Sequence, residues 1–212
     1  MTQSFHGIES LPNPERFKAT AWNNLGNALK SLRRFDEAHH ALETARDLHQ
    51  QTGDTHGEAN AWNNLGTALK ELRRFDDALH ALETARNLYQ QSGDTHGEAI
   101  AWNNLGTAYR GLGRFDEAVV AGKQAVAMLA AARDWFRTGE AWGEVATTLT
   151  AAGADAVQVR EAWEQSAHAY TRAGADEEAD ASREHATNME IVEAQLPTDA
   201  VRPEEEVASE SG

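Results

Sequence analysis

Ala21-Trp22-Asn23-Asn24-Leu25-Gly26 returns as Ala61-Trp62-Asn63-Asn64-Leu65-Gly66 and again as Ala101-Trp102-Asn103-Asn104-Leu105-Gly106. The interval is 40 residues, and a decayed fourth copy opens at Ala141-Trp142. Blocks 21–60 and 61–100 differ at only 8 of 40 positions, so the unit is a duplicated one. A fixed period of this length predicts a stack of similar supersecondary units that share one continuous core. Arrays of this kind present surfaces to partners, which weighs against a catalytic pocket.

The residues inside each unit are helix formers. All four prolines lie near the ends, at Pro12, Pro14, Pro197 and Pro203, so the stretch from 15 to 196 has none. The apolar share is carried by Ala, Leu and Trp, and an all-helical body follows. In the second copy Trp62, Leu65, Leu69 and Leu72 fall on one helical face. Ala78, Ala81, Leu82, Ala85, Leu88 and Tyr89 form a second stripe, with Arg73-Arg74-Phe75 as the turn between them. Asp76 and Asp77 favour the start of that second helix. Gly93 suits its left-handed stop, and Asp94 can cap the next helix. Gly66 and the small residues Ala78, Ala81 and Ala85 predict close approach of the paired helices.

The order Trp62, Leu65-Gly66, Leu69, Phe75, Ala78, Leu82, Ala85 resembles the tetratricopeptide repeat. The first copy repeats it as Trp22, Leu25-Gly26, Leu29, Phe35, Ala38, Leu42, Ala45, and the third as Trp102, Leu105-Gly106, Tyr109, Phe115, Ala118, Gly122, Ala125. The unit is longer than the usual ~34 residues and lacks the family's terminal Pro. It is similar to the long-unit subclass found in spindle-orientation scaffolds, kinesin light chains and bacterial signalling regulators. The resemblance implies an all-α, right-handed superhelical solenoid of helix-turn-helix units, and a protein or peptide ligand.

Several boundaries follow. Residues 1–12 are expected to be a flexible lead, 13–174 the array of about four units, 175–195 a capping helix and 196–212 a disordered acidic tail. Asp155-Ala156-Val157-Gln158 reads as an insertion within the fourth copy. Ala179, Ser182, Ala186 and Met189 share one face of the capping helix.

Net charge is −15, of which residues 176–212 carry −10, from 12 acidic and 2 basic side chains. The array itself has no phosphate-binding stripe, which argues against nucleic acid. There is no Cys, which fits a reducing compartment and removes thiol chemistry and Cys-ligated zinc. No signal-like lead or bilayer-length apolar run is present, so a cytoplasmic protein is expected. No Gly-rich phosphate loop, nucleophile elbow or pair of catalytic carboxylates appears, and neither a cofactor nor a metal is expected.

The candidate site is the polar side of each first helix. Around Asn64, the residues Asn60, Asn63, Thr67, Lys70 and Glu71 lie within about 120°, opposite the Trp-Leu stripe. Copies one and three place Asn23, Asn24, Asn27, Lys30 and Asn103, Asn104, Thr107, Arg110 at matching positions. The resemblance puts this side in the concave groove. Stacking predicts two ladders, Asn24-Asn64-Asn104 and Lys30-Lys70-Arg110. An Asn amide both donates and accepts, so it can pair with the backbone of an extended peptide. The cations beside it favour an acidic ligand. The alternative is a solvated polar face copied by duplication.

Other features carry weaker readings. Trp22, Trp62, Trp102 and Trp142 lie on the core stripe and are expected to pack rather than to form a stacking platform. His39, His40, His56, His80 and His96 fall on outer faces or in turns, with no carboxylate-supported ligand set. In copy three, Val120 and Ala127 should face outward and could join Trp135 and Phe136 in a self-association patch. Burial against the fourth copy is the other reading. Self-association through copy three or the acidic tail, and a sensor role within a larger bacterial regulator, stand as alternatives to the scaffold reading. The acidic tail could also compete for the cationic groove.

Overall fold

A computed structural model describes residues 13–195. Among these described residues nine helices follow one another: α1 (Pro14–Ser31), α2 (Phe35–Gln51), α3 (Thr55–Glu71), α4 (Phe75–Ser92), α5 (Thr95–Gly111), α6 (Phe115–Ala131), α7 (Trp135–Ala151), α8 (Ala156–Ala173) and α9 (Asp176–Gln195). There is no strand among the described residues. The expectations for 1–12 and 196–212 lie outside them. No described helix is long and apolar enough to cross a membrane.

The turns account for their own backbone groups. At the end of α3, Arg73 N–H donates to the Lys70 carbonyl and Arg74 N–H to the Leu69 carbonyl, each at 2.9 Å. This pair of bonds closes the helix and needs one left-handed residue. Arg73 holds that conformation at φ 59°, as Arg33 does at φ 58°, whereas Gly113 and Gly153 take the same place without a Cβ. The first helices of copies two to four begin on aspartates. Asp54, Asp94 and Asp134 accept from the backbone N–H three residues on, at 3.1, 2.8 and 3.1 Å. These bonds satisfy donors that the helix leaves unpaired.

Each helix packs on the next, and the first helices also touch one another, α1 on α3, α3 on α5 and α5 on α7. No comparable contact links the second helices, so the first helices form the inner, tighter side of the stack. Glycine sets the spacing within a hairpin. A Cβ on Gly66 would stand 2.5 Å from Leu82 Cγ, and one on Gly26 the same distance from Leu42 Cγ. The core runs through the stack as Leu42, Leu65, Leu69, Leu82, Leu105, Leu129 and Val145, with alanines filling the gaps.

Two expectations need correction. Trp62, Trp102 and Trp142 pack against the core as expected, half-buried at its edge, whereas Trp22 is 40% exposed. Trp62 and Trp102 spread over the junction of three helices, where arginines cover their outer faces. The insertion in the fourth copy is one residue, since α8 starts at Ala156 and the first-to-second-helix turn lengthens only from 112–114 to 152–155. Ala156-Val157-Gln158 is simply the first turn of α8. Finally, α1 exposes Phe17, Trp22, Leu25 and Leu32. In copies two to four the matching face is covered by the second helix of the preceding hairpin, and α1 has no such neighbour among the described residues.

In copy three, Val120 and Ala127 do face outward, while Val126 is buried and Val119 packs toward the fourth copy. Trp135 and Phe136 do not join them. Arg172 lies over the Trp135 ring, and Phe136 meets Tyr170 edge-on at 5.4 Å. α9 buries Ala179, Ser182 and Ala186 against α8, and Ser182 Oγ lies 3.2 Å from Ser166 Oγ.

Candidate functional site

The first helices place their polar residues along the inner side of the stack, but the rungs run diagonally. Asn64 Nδ2 donates to Asn23 Oδ1 at 3.2 Å, and Asn104 Nδ2 donates to Asn63 Oδ1 at 3.0 Å. The level ladder Asn24-Asn64-Asn104 is therefore not what forms. Adjacent first helices are offset, so position 64 faces position 23 and leaves Asn24 exposed. Asn24 and Asn27 make no side-chain hydrogen bond among the described residues. Asn60 turns to the second helix instead and accepts from the Tyr89 hydroxyl at 2.8 Å.

The cations are threaded into the same network. Lys30 Nζ donates to Thr67 Oγ1 at 2.7 Å and to Asn64 Oδ1 at 3.2 Å. Lys70 Nζ donates to Thr107 Oγ1. Among the described residues neither ammonium has a carboxylate within ion-pair distance; their partners are neutral oxygens. Burial lowers the Lys30 pKa to about 8, and the nearby Lys70 charge pushes the same way. Burial likewise lowers Lys70, partly countered by Glu144 and Glu71. Both effects disfavour a charge that has been taken from water without an opposite charge beside it. A cleft of about 400 Å³ opens here, lined by Lys30, Ser31, Arg33, Phe35, Thr67, Lys70 and Glu71.

The row ends at copy four. Position 144 is Glu where the other copies have Asn, and Glu144 Oε2 accepts from Arg110 at 2.7 Å. Asn103 Oδ1 is consequently buried without a donor, and so is Arg110 Nε without an acceptor. Glu144 was missed by reasoning from the Asn repeats alone; the 40-residue register, which puts 144 under 104, is the signal that points to it.

The histidines divide. His49 is buried beside Asp54, with Nδ1 3.1 Å from Oδ2, and Arg16 donates to the same carboxylate at 2.9 Å. On α2 the structure does supply a carboxylate to a histidine pair. Glu43 Oε2 lies 3.4 Å from His39 Nδ1 and 3.6 Å from His40 Nδ1, because i, i+3 and i+4 positions share a helix face. That corrects the expectation that no such set exists, since these three groups lie close enough to share a metal ion.

The tetratricopeptide repeat model matches residues 17–91 and 57–131, together more than half of the chain. No curated protein sequence matches. Among solved structures, nearly identical TPR-like repeats from Podosopora anserina, described as a kinesin light chain, align at 17% identity with a TM-score of 0.58, covering 84% of this chain and 97% of that one. A signal transduction ATPase with a tetratricopeptide repeat sensor from Pyrococcus horikoshii aligns at 16% identity and TM-score 0.72, covering 84% of this chain but 28% of that one. A Rap protein complexed with competence and sporulation factor aligns at 14% identity and TM-score 0.54, covering 85% and 66%. At these identities the likeness is one of fold. With the family model spanning the repeated units and the hairpin stack in place, the chain belongs to the tetratricopeptide repeat family.

Proposed function

We propose that this array binds an extended, acidic segment of a partner protein along the inner side of α1, α3 and α5, and that its role is binding rather than catalysis. Repeats of this family generally mediate protein–protein interaction. One observation carries the finer reading: Lys30 and Lys70 are desolvated ammoniums whose hydrogen bonds go only to neutral Asn and Thr oxygens. A carboxylate arriving in their cleft would pair directly with ammoniums that burial has already stripped of much of their water, where the interaction is stronger than between fully hydrated charges. Asn24 and Asn27 remain free to pair with the backbone of the same segment. Asn23, Asn63, Asn64, Asn104, Thr67 and Thr107 hold the first helices in register, Asn103 keeps an unpaired amide oxygen, and Arg110 closes the groove on Glu144.

A peptide array tests this. Extended peptides with spaced Asp or Glu should bind, and their neutral Asn or Gln counterparts should bind at least about tenfold more weakly, as for a lost charge-assisted bond. Lys30→Met together with Lys70→Met should remove the preference for acid and leave the helical content intact. Equal binding of acidic and neutral peptides would overturn the reading. The sensor of a larger regulator is a second form of the same proposal, supported by the fold likeness to the signalling ATPase, and it uses the same groove.

A further inference from the structure

The tryptophans that open each unit are alike in sequence but not in cover. Arg46 Cζ stands 4.7 Å from the Trp62 ring, and Arg86 Cζ stands 4.7 Å from the Trp102 ring. Each arginine lies sixteen residues before its tryptophan, on the second helix of the preceding hairpin. Counting back sixteen from Trp142 gives Val126. Val126 is buried against Leu129, Ala141 and Trp142 and carries no charge. The outer face of Trp142 therefore has no guanidinium.

The clefts beside the two rings also differ in size. Over Trp102 the cleft between helices has a volume of about 260 Å³. The matching cleft over Trp142 is about 590 Å³, with Val145 and Leu149 beside the ring on its floor. Glu161 and Glu164, on α8, form one wall, and Lys123, on α6, stands on the other. Glu164 pairs with Arg160 at 2.7 Å, while Glu161 is exposed and has no ion pair among the described residues. This cleft is on the outer side of the stack, since Trp142 sits about 200° around α7 from Glu144 at 100° per residue.

We propose that the Trp142 cleft binds an arginine side chain of a partner protein, its guanidinium stacked on the indole and paired with Glu161. At Trp62 and Trp102 the chain itself lays a guanidinium on the corresponding ring. A planar guanidinium stacks on an indole and is attracted by its negative face, and it bonds a carboxylate at the same time. The site is separate from the inner groove and does not depend on the acidic-ligand reading.

The probe is the capped tripeptide acetyl-Gly-Arg-Gly-amide, titrated into the whole chain while the indole N–H resonances of its six tryptophans are followed by NMR. The Trp142 resonance should shift saturably, and those of Trp62 and Trp102 should not. Replacing the arginine by citrulline, which keeps the shape and removes the charge, should weaken binding by up to about tenfold, the span of such a contact. Val126→Arg should fill the site from within and abolish the shift. Glu161→Gln should weaken it, and Lys123→Glu should tighten it, because that change removes the opposing charge. The proposal is overturned by a Trp142 resonance that never saturates, or by a citrulline peptide that binds equally well. A helical Val126→Arg protein that still binds also overturns it. If that variant fails to fold, Lys123→Glu decides, and unchanged or weaker binding counts against the site.

Discussion

Leu25, Leu65 and Leu105 occupy the same place in three copies, yet they are 44%, 3% and 0% exposed. Truncating each to Ala asks one question in three environments. Removing the three outer carbons of a fully buried leucine loses about 2.4 kcal/mol of transfer free energy, at about 0.8 kcal/mol per carbon. Leu65 and Leu105 also leave a cavity between helices, which brings the expected cost to about 3–5 kcal/mol. Leu25 keeps a little over half of its surface from water, and solvent fills the space it leaves, so its cost should be about 1.3 kcal/mol. Urea melts followed by circular dichroism measure the difference. With a slope of about 2 kcal/mol per molar, the midpoint should fall by about 0.6 M for Leu25→Ala and by about 1.5–2.5 M for Leu105→Ala. Amide exchange in α1 and α5 shows where each loss falls, since each unit couples only to its neighbours. A Leu25→Ala protein as destabilised as Leu105→Ala would refute the reasoning, because the open face of α1 would then have to be covered in solution.

Three further expectations follow from single sites. Gly66→Ala should cost about 1–3 kcal/mol, because the new Cβ meets Leu82; Gly143→Ala, whose nearest neighbour is 3.5 Å away, should instead stabilise by about 0.5–1 kcal/mol as a helix-interior Gly is removed, and paired melts compare them. Asp94→Ala removes the cap on Gly97 N–H and should cost about 0.5–2 kcal/mol, with Asp94→Asn recovering most of the loss. Lys30, with its pKa lowered to about 8, should be acylated at pH 8 faster than Lys18 or Lys123, read by mass spectrometry. The unfolded chain binds more protons than the folded one above pH 8, so Lys30's share of stability should rise from about pH 8 to 10, and a bound acidic peptide should slow its acylation.

Local periodicity was enough for much of this protein. The 40-residue repeat, the two apolar stripes, the missing prolines and the Gly-Asp stops define each hairpin, because they depend on backbone geometry within about twenty residues of chain. The aspartate cap at 94 and the close approach at Gly66 were legible for the same reason. Contacts between copies were not. Whether Asn64 meets Asn23 or Asn24 depends on the offset of adjacent helices, which no single helix encodes. The cover of a tryptophan depends on a residue sixteen positions earlier, on another helix, and so Trp62 and Trp142 look alike in sequence and differ in space. The exposure of Leu25 arises because a repeat buries its leucine only when another helix stands before it. Repetition specifies what each unit offers its neighbours, and tertiary packing decides which of those offers are taken up inside the stack and which are left for a partner.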